Sequence, residues 1–447
     1  MLYVDKLALN IPETAKPRIV IIGGGFAGAN LVKNLSQKHF QVVLFDRQNY
    51  NGFWPLLYQV ATAGLEPDAI AEPLRKMFDN RFHDFHFRFV KVTGVDPVTK
   101  IISTLIGDLT YDYLVIATGT KPNFFGNDQI KKFAFPLKRM PHALDLRSQL
   151  LQCFEQASMT NDESIRQSLL NIVIAGAGPT GVEVAGALAE MRKYILHRDY
   201  PGIDFGKMNI FLIEGFDRVL PLMSKQSGRR AQFYLQKMGV ITRMNTRVES
   251  YDGTVVRLGN GENIPSQTLI WAAGVTGILI DGLPVNAIQR GRILVNTFSQ
   301  VNGFTDIFAI GDIALMRSKK YPDGHPAIAQ PAIQQGNHLA FNLLKLIRNK
   351  PLKPFKYFDK GTLAIVGRGR AVADFPGKLH LNGFFVWIIW LIIHICYSVG
   401  FRNKLVVIST WTYRFFTYQR ANRLIIRPFV RANDHKGQQF VNKYRED

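Results

Sequence analysis

Two glycine-rich turns, each set between an apolar run and a helix-forming run, govern what this chain can fold into. The first is Gly23-Gly24-Gly25-Phe26-Ala27-Gly28, after Arg18-Ile19-Val20-Ile21-Ile22. The second is Gly176-Ala177-Gly178-Pro179-Thr180-Gly181, after Asn171-Ile172-Val173-Ile174-Ala175. In such a turn the first glycine permits the tight bend, the second lets the backbone approach a pyrophosphate, and the third lets helix pack on strand. The pyrophosphate rests on the N–H groups that open the helix. One such turn is weak evidence. Two, each followed by a strand ending in an acid, predict two dinucleotide sites and hydride transfer between them. The acids are Asp46, closing Gln41-Val42-Val43-Leu44-Phe45-Asp46, and Glu214, closing Asn209-Ile210-Phe211-Leu212-Ile213-Glu214. Each is expected to bond ribose hydroxyls. Glu214 lies beyond the usual distance of ~20 residues because the preceding helix is extended through Met191–Tyr200.

The two halves also end alike. Tyr113-Leu114-Val115-Ile116 runs into Ala117-Thr118-Gly119, and Thr268-Leu269-Ile270-Trp271 runs into Ala272-Ala273-Gly274. Small residues at the carboxyl ends of parallel strands let backbone lie against a cofactor. A third run, Ile307-Phe308-Ala309-Ile310-Gly311-Asp312, suits a return to the first domain, with Asp312 facing ribityl or ribose hydroxyls. A simple Gly-Asp turn is the plainer alternative. The expected fold is α/β, with two Rossmann-like domains and a C-terminal helical domain. The expected boundaries are 17–125 with 285–345, 165–284, and 346–447.

The net charge of +21 calls for an anionic partner surface. It is heavy in the tail, where ten Lys/Arg stand against three Asp/Glu from Arg402 onward. No basic run is interleaved with aromatics as in an RNA-binding segment, so a lipid surface is preferred to nucleic acid. The two cysteines, Cys153 and Cys396, are far apart. A disulfide framework is not implied. Disulfide reductases and sulfide-oxidising flavoproteins of similar architecture use paired cysteines, and their absence argues against both. No metal-ligand cluster is visible.

The residues Met1–Lys6 lack a signal-peptide pattern, and a cytoplasmic start is expected. From Leu379 to Phe401 the only titratable side chains that can carry positive charge are His380 and His394. As one helix, ~23 residues would reach across hydrocarbon. In-plane attachment is preferred to a span or a buried core helix. Trp387, Trp390, His394 and Tyr397 form a stripe of apolar bodies with polar tips, suited to an interface. Trp411, Phe415 and Tyr418 among Arg414, Arg420 and Arg423 suit a helix whose cations meet lipid phosphates.

With these residues in view, the chain resembles the type II NADH dehydrogenases, single-subunit NADH:quinone oxidoreductases that do not pump protons. The likeness runs nearly the whole length. It is carried by the first glycine turn, Phe53-Trp54-Pro55-Leu56-Leu57-Tyr58-Gln59-Val60-Ala61, Ala117-Thr118-Gly119, and Gly176–Glu183. Trp271-Ala272-Ala273-Gly274 and Ile310-Gly311-Asp312 follow in order, and the most specific match is Ala329-Gln330-Pro331-Ala332-Ile333-Gln334-Gln335-Gly336. The tail, including Gly400-Phe401-Arg402-Asn403, resembles the family's anchor. Gly52 and Trp54 depart from the family's usual residues.

The resemblance implies a glutathione-reductase-like fold with noncovalent FAD on Gly23, Gly25, Gly28, Asp46, Ala117, Thr118, Gly119 and Asp312. NADH as substrate would lie on Gly176, Gly178, Gly181, Glu214 and Gly274. Glu183 would hold the nicotinamide amide, and Gln330 and Gln334, one helical turn apart, would meet the membrane quinone. A first-turn helix acid and a polar helix face are the plainer readings of these residues. His380 or Lys378 is a weaker candidate for supplying protons. Glu214 favours NADH over NADPH, with Arg218 nearby as a counterweight. The expected location is peripheral, on the cytoplasmic face of the inner membrane, with a homodimer left open. The rivals are a soluble NADH-dependent flavin reductase serving a redox partner protein, and a redox-sensing binding protein without turnover.

Overall fold

The computed structural model describes residues 6–35, 38–78, 84–398, 400–417, 419 and 422–431. Tyr418 and Arg420, expected near lipid phosphates, lie outside them. The chain forms two compact units. The first takes residues up to Gly52, Ala71–Lys121 and Val275–Lys360; the second takes Phe53–Ile70, Pro122–Gly274 and the chain from Gly361.

In the first unit, β-branched and aromatic runs build a five-stranded parallel sheet. Its order is Ile307–Ala309, Tyr113–Ile116, Arg18–Ile22, Gln41–Asp46, Phe85–Phe89. Arg18–Ile22 is buried along its whole length, as a central parallel strand covered on both faces must be. The return of Ile307–Ala309 to this sheet matches the sequence reading. Helix Phe26–Asn34 follows the first strand and packs on helix Ala329–Leu346. At that contact a Cβ on Gly336 would lie 2.4 Å from the Ala27 carbonyl, so only glycine fits.

The second unit repeats this plan. Its parallel sheet runs Phe135–Pro136, Thr268–Trp271, Ile172–Ala175, Ile210–Ile213, Val240–Arg243. Each sheet also has an antiparallel meander in the same place, between its outer strand and the strand that returns beside the first. These are Val92–Asp96, Ile101–Thr104 and Gly107–Thr110 in one unit, and Val248–Tyr251, Val255–Leu258 and Asn263–Pro265 in the other. In both sheets the strand order reverses beside the glycine turn, the crevice where open α/β sheets bind ligands.

The C-terminal part of the second unit is a three-stranded antiparallel sheet, Thr362–Gly367, Arg370–Phe375 and Leu379–Asn382, followed by helices Phe384–Tyr397 and Phe401–Thr417. Here the sequence reading needs correction. The 379–401 stretch is not one helix: its first four residues form an edge strand, and Gly383 at φ 95° turns the chain into the helix. Among the described residues, no helix is long and apolar enough to cross a membrane.

Candidate functional site

The first cradle forms where strand Arg18–Ile22 turns into helix Phe26–Asn34. Gly23 sits at φ 110°, and a Cβ there would lie 2.3 Å from the Ala117 carbonyl oxygen. A Cβ on Gly28 would lie 1.9 Å from the Gly23 carbonyl oxygen. Gly25 differs: its φ of −73° suits any residue, and a Cβ would meet nothing within 4 Å. Glycine keeps that space open, and no side chain caps the helix there. The Asp46 carboxylate accepts from Gly24 N–H at 2.6 Å and from Gln48 N–H at 2.7 Å. Burial raises its pKa, against the lowering by these amides.

Ala117, Thr118 and Gly119 adjoin this turn. The Thr118 hydroxyl donates to the Ile278 carbonyl at 2.6 Å, and Gly119 takes φ 68°. The Thr120 hydroxyl donates to Asp312 at 3.2 Å. Gly311 packs with its Cα facing Ala27, and its N–H donates to buried Gln335 at 2.7 Å. The fold thus gathers the glycine turn, Ala117–Gly119 and Asp312 at the carboxyl ends of three adjacent strands. An open cradle at a helix start, with an acid beside it, fits an adenine dinucleotide.

The second cradle is built the same way. Gly176 sits at φ 99°, where a Cβ would lie 2.6 Å from the Ala272 carbonyl oxygen; on Gly181 it would lie 1.9 Å from that of Gly176. Gly178, at φ −68°, again has open space. The Glu214 carboxylate accepts from Ala177 N–H at 2.6 Å and Phe216 N–H at 3.1 Å. Gly274, at φ 152°, accepts from Asn123 N–H at 3.0 Å. Arg218 is engaged with Asp217 and the Pro221 carbonyl.

A third feature is a cavity of about 350 Å³ inside the second unit. One wall is a stripe on helix Pro179–Met191 and the turn after it: Glu183, Ala187, Glu190 and Tyr194. Their spacing, i, i+4, i+7, i+11, sets them on one helical face. The opposite wall is aromatic, with Trp387, Trp390, Trp411 and Phe415. Gln59 ties the aromatic wall to Tyr58. Its carbonyl oxygen accepts from Trp411 Nε1 at 3.0 Å and from Arg414 at 3.1 Å, and its amide donates to Tyr58 at 3.0 Å. Arg414 also donates to the Gly64 carbonyl at 3.2 Å, and burial lowers its pKa. Burial, then the Glu183 charge, pushes the Tyr58 phenol up, so it stays a neutral donor. Burial holds Glu183 well above the usual carboxylate range, against one backbone N–H from Ile365. A flat conjugated ring with carbonyl oxygens suits such walls.

Gln330 and Gln334 belong to the first unit and line no part of this cavity. Gln334 is bonded to both backbone groups of Phe358, at 2.8 and 2.9 Å. Gln330 accepts from Tyr357 and from Lys360 N–H, at 3.3 and 3.2 Å. His380 is held by Asp374 at 2.7 Å, and neither it nor Lys378 lines the cavity.

Of the tail's stripe, Trp387, Trp390 and His394 face inward, a second correction, while Tyr397 stands exposed. Trp390 is fully buried and stacks on His394 with ring centres 3.8 Å apart; Trp387 stacks on Phe415. Arg414 is half-buried and bonded to Gln59 and the Gly64 carbonyl, and Arg423 pairs with Asp199, so both are engaged within the protein. Purely apolar side chains stand outward instead: Phe385 at 81%, Phe401 at 79% and Phe416 at 75% exposure. The cavity network uses the Trp411 indole nitrogen through Gln59, while Trp390 Nε1 is buried without a hydrogen-bond partner and its ring is held by stacking on His394.

A pyridine nucleotide-disulphide oxidoreductase family model matches residues 17–336, and one for the NDH2 C-terminal domain matches residues 360–419. The type II NADH:quinone oxidoreductase Ndh of Mycobacterium tuberculosis is 35% identical over 432 residues, covering 92% of each chain. This chain belongs to the type II NADH:quinone oxidoreductase family. NdhA of the same organism is 32% identical over 93% of this chain and 90% of its own. The solved NDH2 of Plasmodium falciparum in complex with NADH shares the fold, with TM-score 0.85 over 92% of this chain and 100% of that one, at 21% identity. The sulfide:quinone oxidoreductase of Aquifex aeolicus shares it at TM-score 0.69 and 20% identity, over 90% of this chain and 95% of that one. The type II family's likeness to disulfide reductases is one of fold: here Cys153 is buried and Cys396 exposed, each as a free thiol.

Proposed function

We propose that this chain passes a hydride from NADH to noncovalently held FAD and two electrons onward to a membrane quinone, without pumping protons. The observation that carries the reading is the doubled cradle, with the same glycine contacts and the same acid-to-amide bonds at Asp46 and Glu214. FAD, when bound, supplies hydride acceptance on one side and electron donation to the quinone on the other. Residues 17–125 and 285–345 hold FAD, 165–284 hold NADH, and 346–447 face the membrane.

The glycine turns seat the two pyrophosphates, and Asp46 and Glu214 take ribose hydroxyls with their remaining lone pairs. Asp312 takes a flavin hydroxyl. Glu183 holds the carboxamide of the nicotinamide. Gln330 and Gln334 serve the quinone end, Gln334 by fixing the Phe358 backbone. Tyr58 presents a neutral O–H inside the aromatic cavity, in reach of a carbonyl oxygen seated there.

Attachment is peripheral, at the cytoplasmic face, through Phe385, Phe401 and Phe416, with the positive tail meeting anionic lipid. A homodimer is compatible with this arrangement.

Steady-state NADH oxidation with and without a short-chain quinone tests the reading. The purified protein is expected to be yellow, to release FAD on acid treatment, and to oxidise NADH rapidly only when quinone is present. A pure, folded protein that takes up no FAD, or whose NADH oxidation quinone does not stimulate, overturns it.

A further inference from the structure

Reduction of a quinone by NADH consumes one proton from water. The hydride brings two electrons and one hydrogen nucleus; two O–H bonds form on the quinone, so the second hydrogen nucleus must come from solvent. Three of the exposed residues lining the aromatic cavity, Phe384, Ile408 and Phe416, are apolar and would meet lipid and not water at an attached membrane, which raises the question of where that proton enters.

A second cavity, of about 760 Å³, lies in the same unit. Lys193, His197, Asp204 and Lys237 on its lining are exposed, so it is open to water. Glu190 and Tyr194 line both cavities. The hairpin turn between strands Thr362–Gly367 and Arg370–Phe375 completes the partition, with Gly367 and Arg368 on the aromatic side and Arg370 on the open side. Glu190 is pinned in this wall: its carboxylate accepts Arg368 N–H at 2.5 Å, and a Cβ on Gly367 would lie 3.0 Å from the same oxygen.

The helix changes pitch at this point. Residues Arg192–Leu196 form a π-helical turn directly after Met191. Such insertions are rare and favour functional sites, because the wider turn re-aims side chains.

We infer that Glu190 is the proton relay between the open cavity and the aromatic cavity, passing inward the solvent proton that quinone reduction consumes. The inference rests on the aromatic cavity being the quinone site. Glu190 gives its proton to the aromatic side and regains one from water on the open side, so it ends each turnover unchanged. On its own helix Tyr194 lines both cavities with it, and the hairpin brings Arg368 to the aromatic side and Arg370 to the open side. Across the aromatic cavity its charge acts on Tyr58 and Arg414. Glu183 sits two turns, about 10 Å, further along the helix, too far for direct transfer.

Stopped-flow kinetics of the full-length, FAD-loaded protein test this. Glu190→Gln keeps the oxygen that accepts Arg368 N–H but cannot carry a proton. Flavin reduction by NADH should be unchanged, and reoxidation by a short-chain quinone should slow about tenfold or more. Reoxidation by ferricyanide, which takes electrons only, should be unaffected. Glu190→Asp should recover most of the quinone rate. In Glu190→Ala, added formate or imidazole should restore it in proportion to concentration, which a structural defect would not allow. A Glu190→Gln protein reoxidised by quinone at the wild-type rate across the pH range overturns the relay, as does equal slowing with ferricyanide. An unmodified protein that reduces ferricyanide but no quinone overturns the function beneath it.

Discussion

The Glu214 carboxylate accepts the Ala177 amide at 2.6 Å, locking the end of one strand to the middle of the second glycine turn. This geometry fixes where the acid stands when a ribose arrives. A 2′-hydroxyl can donate to it, whereas a 2′-phosphate would meet a like charge. NADH should therefore be the better substrate by kcat/KM. Glu214→Gln should narrow the preference, because the amide keeps an acceptor for Ala177 N–H but loses the charge. Equal specificity constants for NADH and NADPH in the unmodified protein would refute the assignment.

Gly25 and Gly178 occupy equivalent places, and both have ordinary backbone angles and open space around them. Alanine should fold at either site and intrude on the bound pyrophosphate. Gly25→Ala is expected to give a folded, colourless protein. Gly178→Ala should stay yellow and show a raised KM for NADH. By contrast, Gly186→Ala would drive a Cβ to 1.6 Å from the Val366 carbonyl oxygen and should lower the melting temperature sharply. A Gly25→Ala protein with full FAD content would show that the cradle is elsewhere.

The paired cradles were legible because each rests on local chemistry: glycine at close backbone contacts, and an acid closing the next strand. The return strand Ile307–Ala309 was legible for the same reason. The aromatic cavity was not, because it joins Gln59, Glu183 and Arg414, residues far apart in sequence and brought together only by tertiary packing. One trace of it was present in the sequence: Glu183, Ala187, Glu190 and Tyr194 repeat at helical spacing. The tail was misread because amphipathic aromatics are equally at home at a lipid interface and around a buried polar network. The Trp411 nitrogen found Gln59 and His394 Nδ1 the Trp390 carbonyl, while Trp387 and Trp390 are held by stacking on Phe415 and His394.

His394 gives stability a pH dependence. Burial against Trp390 pushes its pKa down to about 4, from an unfolded value near 6.5. His142 behaves alike, also at about 4 through burial. Between pH 6.5 and 4 the unfolded chain binds protons that the folded chain refuses, so stability should fall as pH is lowered through that window. His394→Phe keeps an aromatic ring beside Trp390 and should flatten part of the decline in melting temperature. An unchanged slope would show that His394 does not contribute.

Membrane attachment should depend on the outward phenyl rings and not on the arginines among the aromatics. Replacing Phe385, Phe401 and Phe416 together by Ser removes apolar area at exposed positions and leaves the buried packing of Trp387, Trp390 and Trp411 intact. The variant should move to the soluble fraction and keep its melting temperature. Truncation after Lys378 is a harsher change, since it takes Trp390 and Arg414 out of the second unit's interior. High salt alone should release little of the intact protein, because apolar burial supplements charge. Retention of the triple variant on membranes would place the attachment surface elsewhere.

Variants at Tyr58 and Gln330 on one side and at Glu183 on the other are expected to separate the two halves of the reaction. Tyr58→Phe removes the hydroxyl of a cavity-lining residue and keeps the ring. Loss of one hydrogen bond there is worth roughly 0.5–1.5 kcal/mol. Quinone-driven reoxidation should therefore slow by a few-fold to about tenfold, while flavin reduction by NADH stays near normal. Gln330→Leu should act in the same direction, through lost bonds to Tyr357 and Lys360. Glu183→Ala should do the reverse, slowing the NADH half and sparing reoxidation. If Glu183→Ala instead slows only the quinone half, its carboxyl serves the cavity it lines and not the nicotinamide.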